Sequence, residues 1–163
     1  MLADLLDRFK FKSQPYASST DLVDGFKALA RDEAEARLVE DLLENITLYD
    51  FTASDATVAE LENGQFETTF TVTAAKLYAD GEGEETEADF ENLVDIGAFT
   101  KRPGYEVLES ADVISFRLEP LVSGEQVVTV TTDERPAFVG VDPFSKFVER
   151  QGDENITAVE EAD

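Results

Sequence analysis

The chain contains no cysteine, no histidine and no tryptophan among its 163 residues. Without cysteine there is no disulfide and no thiolate metal site, although a domain of this size needs neither to fold. The missing histidine excludes more. The common zinc sites, the Ser-His-Asp triad and the Cys-His dyad all require it, so none is complete within this chain. Carboxylates, lysine, tyrosine, serine and threonine remain as catalytic candidates. A carboxylate-only glycosidase is disfavoured because there is no tryptophan to stack on a sugar.

Basic residues are scarce too. Lys and Arg number 13 against 37 Asp and Glu, a formal net charge of −24. Such a chain is repelled by nucleic acid and by anionic lipid headgroups. The plain reading is a solvated acidic surface suited to salt; the sharper one is a surface for cations or a basic partner. No apolar run has the length of a membrane span, and Met1–Lys10 is charged and amphipathic rather than a signal peptide. The segment itself therefore reads as soluble, with no membrane insertion of its own. Hydrophobic content of 42% suffices for a core.

The clearest stretch is Phe66 to Asp89. Phe66, Phe70, Val72 and Ala74 share one parity and Glu67, Thr69, Thr71 and Thr73 the other, which predicts a long half-buried strand. Asp80-Gly81-Glu82-Gly83 predicts a tight turn, with an antiparallel return through Glu84–Ala88.

Upstream, Leu2, Leu5, Leu6 and Phe9 predict a short helix ended by Pro15. Ser18 and Asp21 have capping-box spacing before a stripe of Leu22, Val23, Phe26, Leu29 and Ala30. Leu38, Val39, Leu42, Leu43 and Ile46 form another stripe after Arg31–Glu33, which reads as a turn or the N-terminus of a third helix. The stripes at Leu22, Phe26, Leu38 and Leu42 suggest a junction with further protein. Strands are expected at Ile46–Phe51 with Ile46 and Leu48 on one face and a switch at Phe51, at Ala56–Leu61, at Val94–Phe99, at Val113–Glu119, at Gln126–Thr132 and at Ala137–Val141. In the fourth of these, Ile114, Phe116 and Leu118 are expected to face inward. Phe144, Phe147 and Val148 fall at helical spacing. About seven short strands with regular turns predict a mainly β fold, an antiparallel immunoglobulin-like β-sandwich preceded by two or three short α-helices. The expected organisation is a helical segment over 1–44, a sandwich over 45–150 and an acidic, fraying tail over 151–163.

Candidate chemistry is thin. The acidic turn Asp80–Glu85 offers oxygens for Ca²⁺, but the sixth position of an EF-hand loop would be Glu85 rather than Gly, so a solubilising turn is the simpler reading. Asp50 with Asp55, and Asp142 with Asp153, are conceivable carboxylate pairs, yet neither has a context that marks catalysis. Lys101-Arg102 beside Pro103-Gly104 is the only dense basic spot and reads as a loop. Gly140-Val141-Asp142-Pro143 reads as a strand end where backbones approach closely. No catalytic, cofactor-binding or metal residue is assigned.

The order of several segments is suggestive. Pro15-Tyr16, Asp21-Leu22-Val23, Ile46–Asp50 and the Asp-Gly hairpin are followed by Asp95–Phe99 and Ser123–Gln126. Pro136-Ala137, Gly140–Pro143, Lys146–Arg150 and Asp153–Asn155 close the series. This order resembles the C-terminal region of bacterial proteins that fuse an ABC-type permease to an aminopeptidase-N-like zinc metallopeptidase of the gluzincin class. The resemblance implies a fragment: a non-catalytic sandwich that packs against, or shapes access to, the peptidase domain of the same parent chain. It implies an aqueous position on an inner-membrane protein, on the periplasmic side. Zinc would belong to the parent, held by an upstream H-E-x-x-H and a further Glu, so no ligand carries over here. The other reading is a stand-alone acidic immunoglobulin-like interaction module.

Overall fold

Two capped helices open the fold in the places that the local sequence dictates. The computed structural model describes residues 2–11 and 16–162. Pro15, expected to end the first helix, and the side chains of Leu2 and Leu5 lie outside the description. The chain divides into two units, residues 1–47 and 48–163.

The first unit holds α1 (Leu2–Phe9), α2 (Ser19–Lys27) and α3 (Glu33–Leu43). The capping box forms as expected. Ser18 Oγ accepts the Asp21 N–H and the Asp21 carboxylate accepts the Ser18 N–H at 2.9 Å, satisfying donors that the helix cannot. Asp32 caps α3 by accepting the Glu35 N–H at 2.9 Å. Lys27, in the last turn of α2, pairs with Glu40 at 3.0 Å and with Glu44. Of the apolar stripes, Leu22, Phe26, Leu29, Leu42 and Leu43 are exposed and Val23, Ala30, Leu38 and Val39 are partly buried.

The rest of the chain is mainly β, in two sheets that share one core. The first sheet contains β1 (Ile46–Glu60), β2 (Phe66–Ala79), β3 (Glu85–Ala88), β6 (Gly124–Thr132) and β9 (Glu160–Glu161). The second contains β4 (Glu91–Phe99), β5 (Val113–Val122), β7 (Phe138–Val141) and β8 (Ile156–Ala158), in the order β5-β4-β7-β8. All named pairs are antiparallel except β1 with β9. An immunoglobulin-like size and layering are compatible with this arrangement. Phe70, Val72, Val128 and Val130 come from one sheet and Val94, Ile96, Val139 and Val141 from the other, all buried in the same cluster. Four rings, Tyr49, Phe51, Phe90 and Phe147, pack within it, mostly edge to face. Tyr49 and Phe147 lie 4.7 Å apart centre to centre, and Phe51 lies 5.5 Å from Phe90.

β2 and its hairpin follow the sequence closely, with Ala79 paired to Glu85 across the turn. Several other expectations need correction. Ile46–Phe51 and Ala56–Leu61 are not two strands but one, and its buried parity is the opposite of that expected. Tyr49, Phe51 and Ala53 point inward while Ile46 is exposed. The parity switches at Asp55, whose φ of 53° makes a bulge after which Ala56 and Val58 are buried.

β5 is likewise reversed. Phe116 and Leu118 are exposed and Leu121 is its buried residue, because Phe116 pairs with Gly97 and Leu118 with Asp95 on the outer face of β4. Phe144 and Phe147 do not share a helix. Residues 142–148 form an irregular loop in which Phe147 enters the core and Phe144 packs on Phe99 and Phe116 outside it.

The segment expected to fray is built in. After a 3-10 turn (Gly152–Asn155), β8 pairs with β7 and β9 pairs with β1. Gly140 makes this possible: a Cβ there would stand 2.7 Å from the Asn155 carbonyl oxygen.

Candidate functional site

Desolvation raises the pKa of two carboxylates, buried Asp142 and half-buried Glu149, both on the stretch between β7 and β8. Tyr49 N–H donates to the Val148 carbonyl at 2.9 Å, which lays residue 149 alongside β1. The Glu149 carboxylate then accepts the Phe51 N–H at 2.8 Å and the Asn155 Nδ2–H at 2.7 Å. Burial pushes its pKa up, those two donors oppose the shift, and the charges of Asp50 and Asp142 add to it. Beside it lies a cleft of about 230 Å³ lined by Leu48, Tyr49 and Asp50, Leu77, and Glu149, Arg150, Gln151 and Glu154. That is smaller than the usual small-molecule pocket of roughly 300–1,000 Å³. Arg150 at its rim is engaged with Glu85.

Asp142 has a φ of 40°, a conformation that Asp tolerates, and caps the turn that follows. Its two oxygens accept the Lys146 N–H at 2.9 Å and the Phe147 N–H at 3.0 Å. Its own N–H donates to the Asp95 carbonyl at 2.8 Å. Desolvation raises its pKa; the two N–H donors oppose this, the Asp95 charge adds, and the Lys146 charge opposes. Asp95 is buried and pairs with the Lys146 ammonium at 2.5 Å. Both carboxylates thus serve as acceptors that fix a loop, and both oxygens of each are engaged.

The sequence-level candidates are dispersed. Asp50 reaches the cleft, whereas Asp55 sits in the β1 bulge and accepts the Ser54 hydroxyl at 2.9 Å. Asp142 has Asp95 as its carboxylate neighbour rather than Asp153, which is exposed and offers its backbone oxygen to Arg102 at 2.8 Å. Lys101 donates to Asp112 at 3.0 Å, and the Arg102 guanidinium lies 4.9 Å from the Tyr105 ring centre, so this basic pair braces loops. At the acidic turn, Asp80 Oδ1 accepts the N–H groups of Glu82 and Glu84 at 2.8 and 2.9 Å. That is a turn cap. Glu149 and Asn155 were missed, and no local pattern marks them. Among the described residues no three metal-type ligands converge.

The titrations have opposite signs. The Glu109 N–H, the Thr100 hydroxyl and the Lys101 ammonium hold Asp112 at about 2. Its contribution is complete above the unfolded value of 3.8 and is lost as pH falls toward 2. Asp142 and Glu149 are raised, so they favour the fold when protonated and that gain is lost as pH rises through their folded values. Self-repulsion of the net charge acts in the same direction as these two. The melting temperature should therefore rise as pH falls from neutrality toward the ordinary carboxylate range, and fall again as pH drops below 3.8 toward 2. A thermal scan in which stability only declines as pH falls from neutrality contradicts this assignment.

No family model matches the chain, and no curated protein or solved structure is significantly similar to it.

Proposed function

We propose that this chain is a non-catalytic β-sandwich module that works by packing against another protein body. The observation that carries this reading is the state of the two carboxylates whose pKa is raised. Glu149 and Asp142 spend both oxygens on N–H donors of their own fold. A general base needs an oxygen directed at substrate, and a nucleophile needs an open approach. The ordered resemblance supports a specific body: the aminopeptidase-like zinc peptidase domain of a larger membrane-associated parent, to which this module gives shape or controlled access. No helix among the described residues is long and apolar enough to cross a membrane, so any anchoring would fall to other parts of that parent.

The test is turnover. Purified chain, with and without added zinc, is incubated with fluorogenic aminoacyl amides. No hydrolysis above buffer is expected; zinc-dependent cleavage that persists through repeated chromatography sinks the proposal. The stand-alone acidic module is favoured by one observation, the net charge of −24. The coding DNA upstream of the Met1 codon discriminates. An in-frame peptidase sequence supports the parent reading, and a stop codon with a ribosome-binding site supports the stand-alone one.

A further inference from the structure

The outer face of the second sheet is apolar, where a sandwich ordinarily turns polar side chains to water. Register defines it. Leu93 pairs with Pro120, Asp95 with Leu118 and Gly97 with Phe116, and paired residues share a face. Glu91 with Val122 continues the row. Phe144 extends it from the loop, its ring 5.4 Å from that of Phe116. Leu93, Phe116, Leu118, Val122 and Phe144 are each between 42% and 57% exposed. Scattered apolar residues need no explanation, but a contiguous group marks an interaction surface.

Charge is unusual here too. Within the face the carboxylate is Asp95, buried and neutralised by Lys146, whose ammonium also lies 5.6 Å from the Phe116 ring centre. Glu91 stands at the end of the row. An apolar island thus sits on a chain with 37 acidic and 13 basic residues. β5 is moreover the outermost strand of its sheet among the described strands.

We propose that this face and the edge of β5 dock an extended segment of a partner protein in which apolar residues alternate with lysine or arginine. The strand edge up to Glu119 supplies main-chain hydrogen bonds, since beyond it Pro120 has no N–H and Gln126 already engages the Val122 N–H and carbonyl. Alternate side chains of an added strand continue the apolar row beside Phe116 and Leu118. The basic residues answer the acidic surround, which repels a second copy of this chain and an acidic partner alike. This inference rests on the module reading and names its surface and partner chemistry.

The probe is a fluorescent peptide of about twelve residues alternating Leu and Lys, titrated with the full chain in 0.5 M salt to suppress non-specific attraction. Binding is expected, weakened at least about tenfold by Phe116→Ser or Leu118→Ser. An Ala-Lys peptide of equal charge should not bind. Both side chains are exposed, so melting temperature and circular dichroism should match the parent chain, and Leu93→Ser supplies an independent variant. Affinity that is unchanged in all three variants, or equal for the Ala-Lys peptide, overturns the proposal. So does a concentration-dependent dimer in sedimentation equilibrium that Leu118→Ser dissociates, since a second copy would then cover the face. Peptidase activity, by contrast, refutes the module reading and leaves these titrations interpretable.

Discussion

Phe51→Ala lowers the unfolding free energy of the β unit by about 3–5 kcal/mol, a fall in melting temperature of roughly 10–15 °C. Phe51 has no exposed surface. Its ring is surrounded by Tyr49 at 6.1 Å, Phe90 at 5.5 Å and Phe147 at 5.6 Å, so truncation removes both buried area and three ring contacts. These partners come from β1, the residue just before β4 and the loop after β7, which leaves little freedom to collapse around a void. Phe51→Leu should cost less than half as much, because it keeps most of the volume. Val127→Ala, at an exposed site on β6, should change stability by no more than about 0.5 kcal/mol. Urea unfolding of the three variants is the measurement. Equal losses for Phe51→Ala and Val127→Ala would remove the ring cluster from the account of the core.

The second large effect is that of salt. At a net charge of −24 the folded chain concentrates repulsion that the unfolded chain spreads out. Raising salt from 10 mM to 1 M shortens the screening length from about 30 Å to about 3 Å. The same salt weakens ion pairs such as Lys27–Glu40 and Arg117–Glu119, but exposed pairs contribute only about 0–1 kcal/mol each. The unpaired carboxylates far outnumber them, so relief of repulsion wins. A gain of several kcal/mol, or roughly 10–15 °C in melting temperature, is expected between 10 mM and 1 M KCl. Sucrose of matched osmolarity should give much less. A melting temperature that is flat or falling with KCl shows that ion pairs, not net charge, govern the electrostatics.

The parts of this fold that were legible in the sequence are those with local causes. β2 alternates for nine residues, and Ser18 reaches only to Asp21, so each could be read in a single window. β1 was misread because both of its parities carry apolar residues; Ile46 and Leu48 compete with Tyr49 and Phe51. Its bulge depends on one backbone angle at Asp55 that no pattern announces. β5 was inverted for a more interesting reason. The rule that apolar residues face the core fails where the outer face is itself apolar, as at Phe116 and Leu118. The closing strands, of three and two residues, take their order from β7 and β1 rather than from their own composition. The cluster around Glu149 was invisible because its donor, the Phe51 N–H, lies 98 residues away in the chain. Asp142, by contrast, was noticed at the strand end before Pro143, although with the wrong carboxylate beside it.

The central claim is that the carboxylates of Asp142 and Glu149 hold the fold together rather than perform chemistry, and the stability of Glu149→Ala tests it most directly. Removing this side chain leaves the Phe51 N–H and the Asn155 amide without their acceptor. A structural carboxylate predicts a loss of about 2–4 kcal/mol in urea unfolding at neutral pH. A residue kept for catalysis commonly costs its fold stability, and removing it then leaves the protein as stable or more so. An unchanged or increased unfolding free energy for Glu149→Ala would therefore contradict the account and return the cleft beside Glu149 to consideration as an active site.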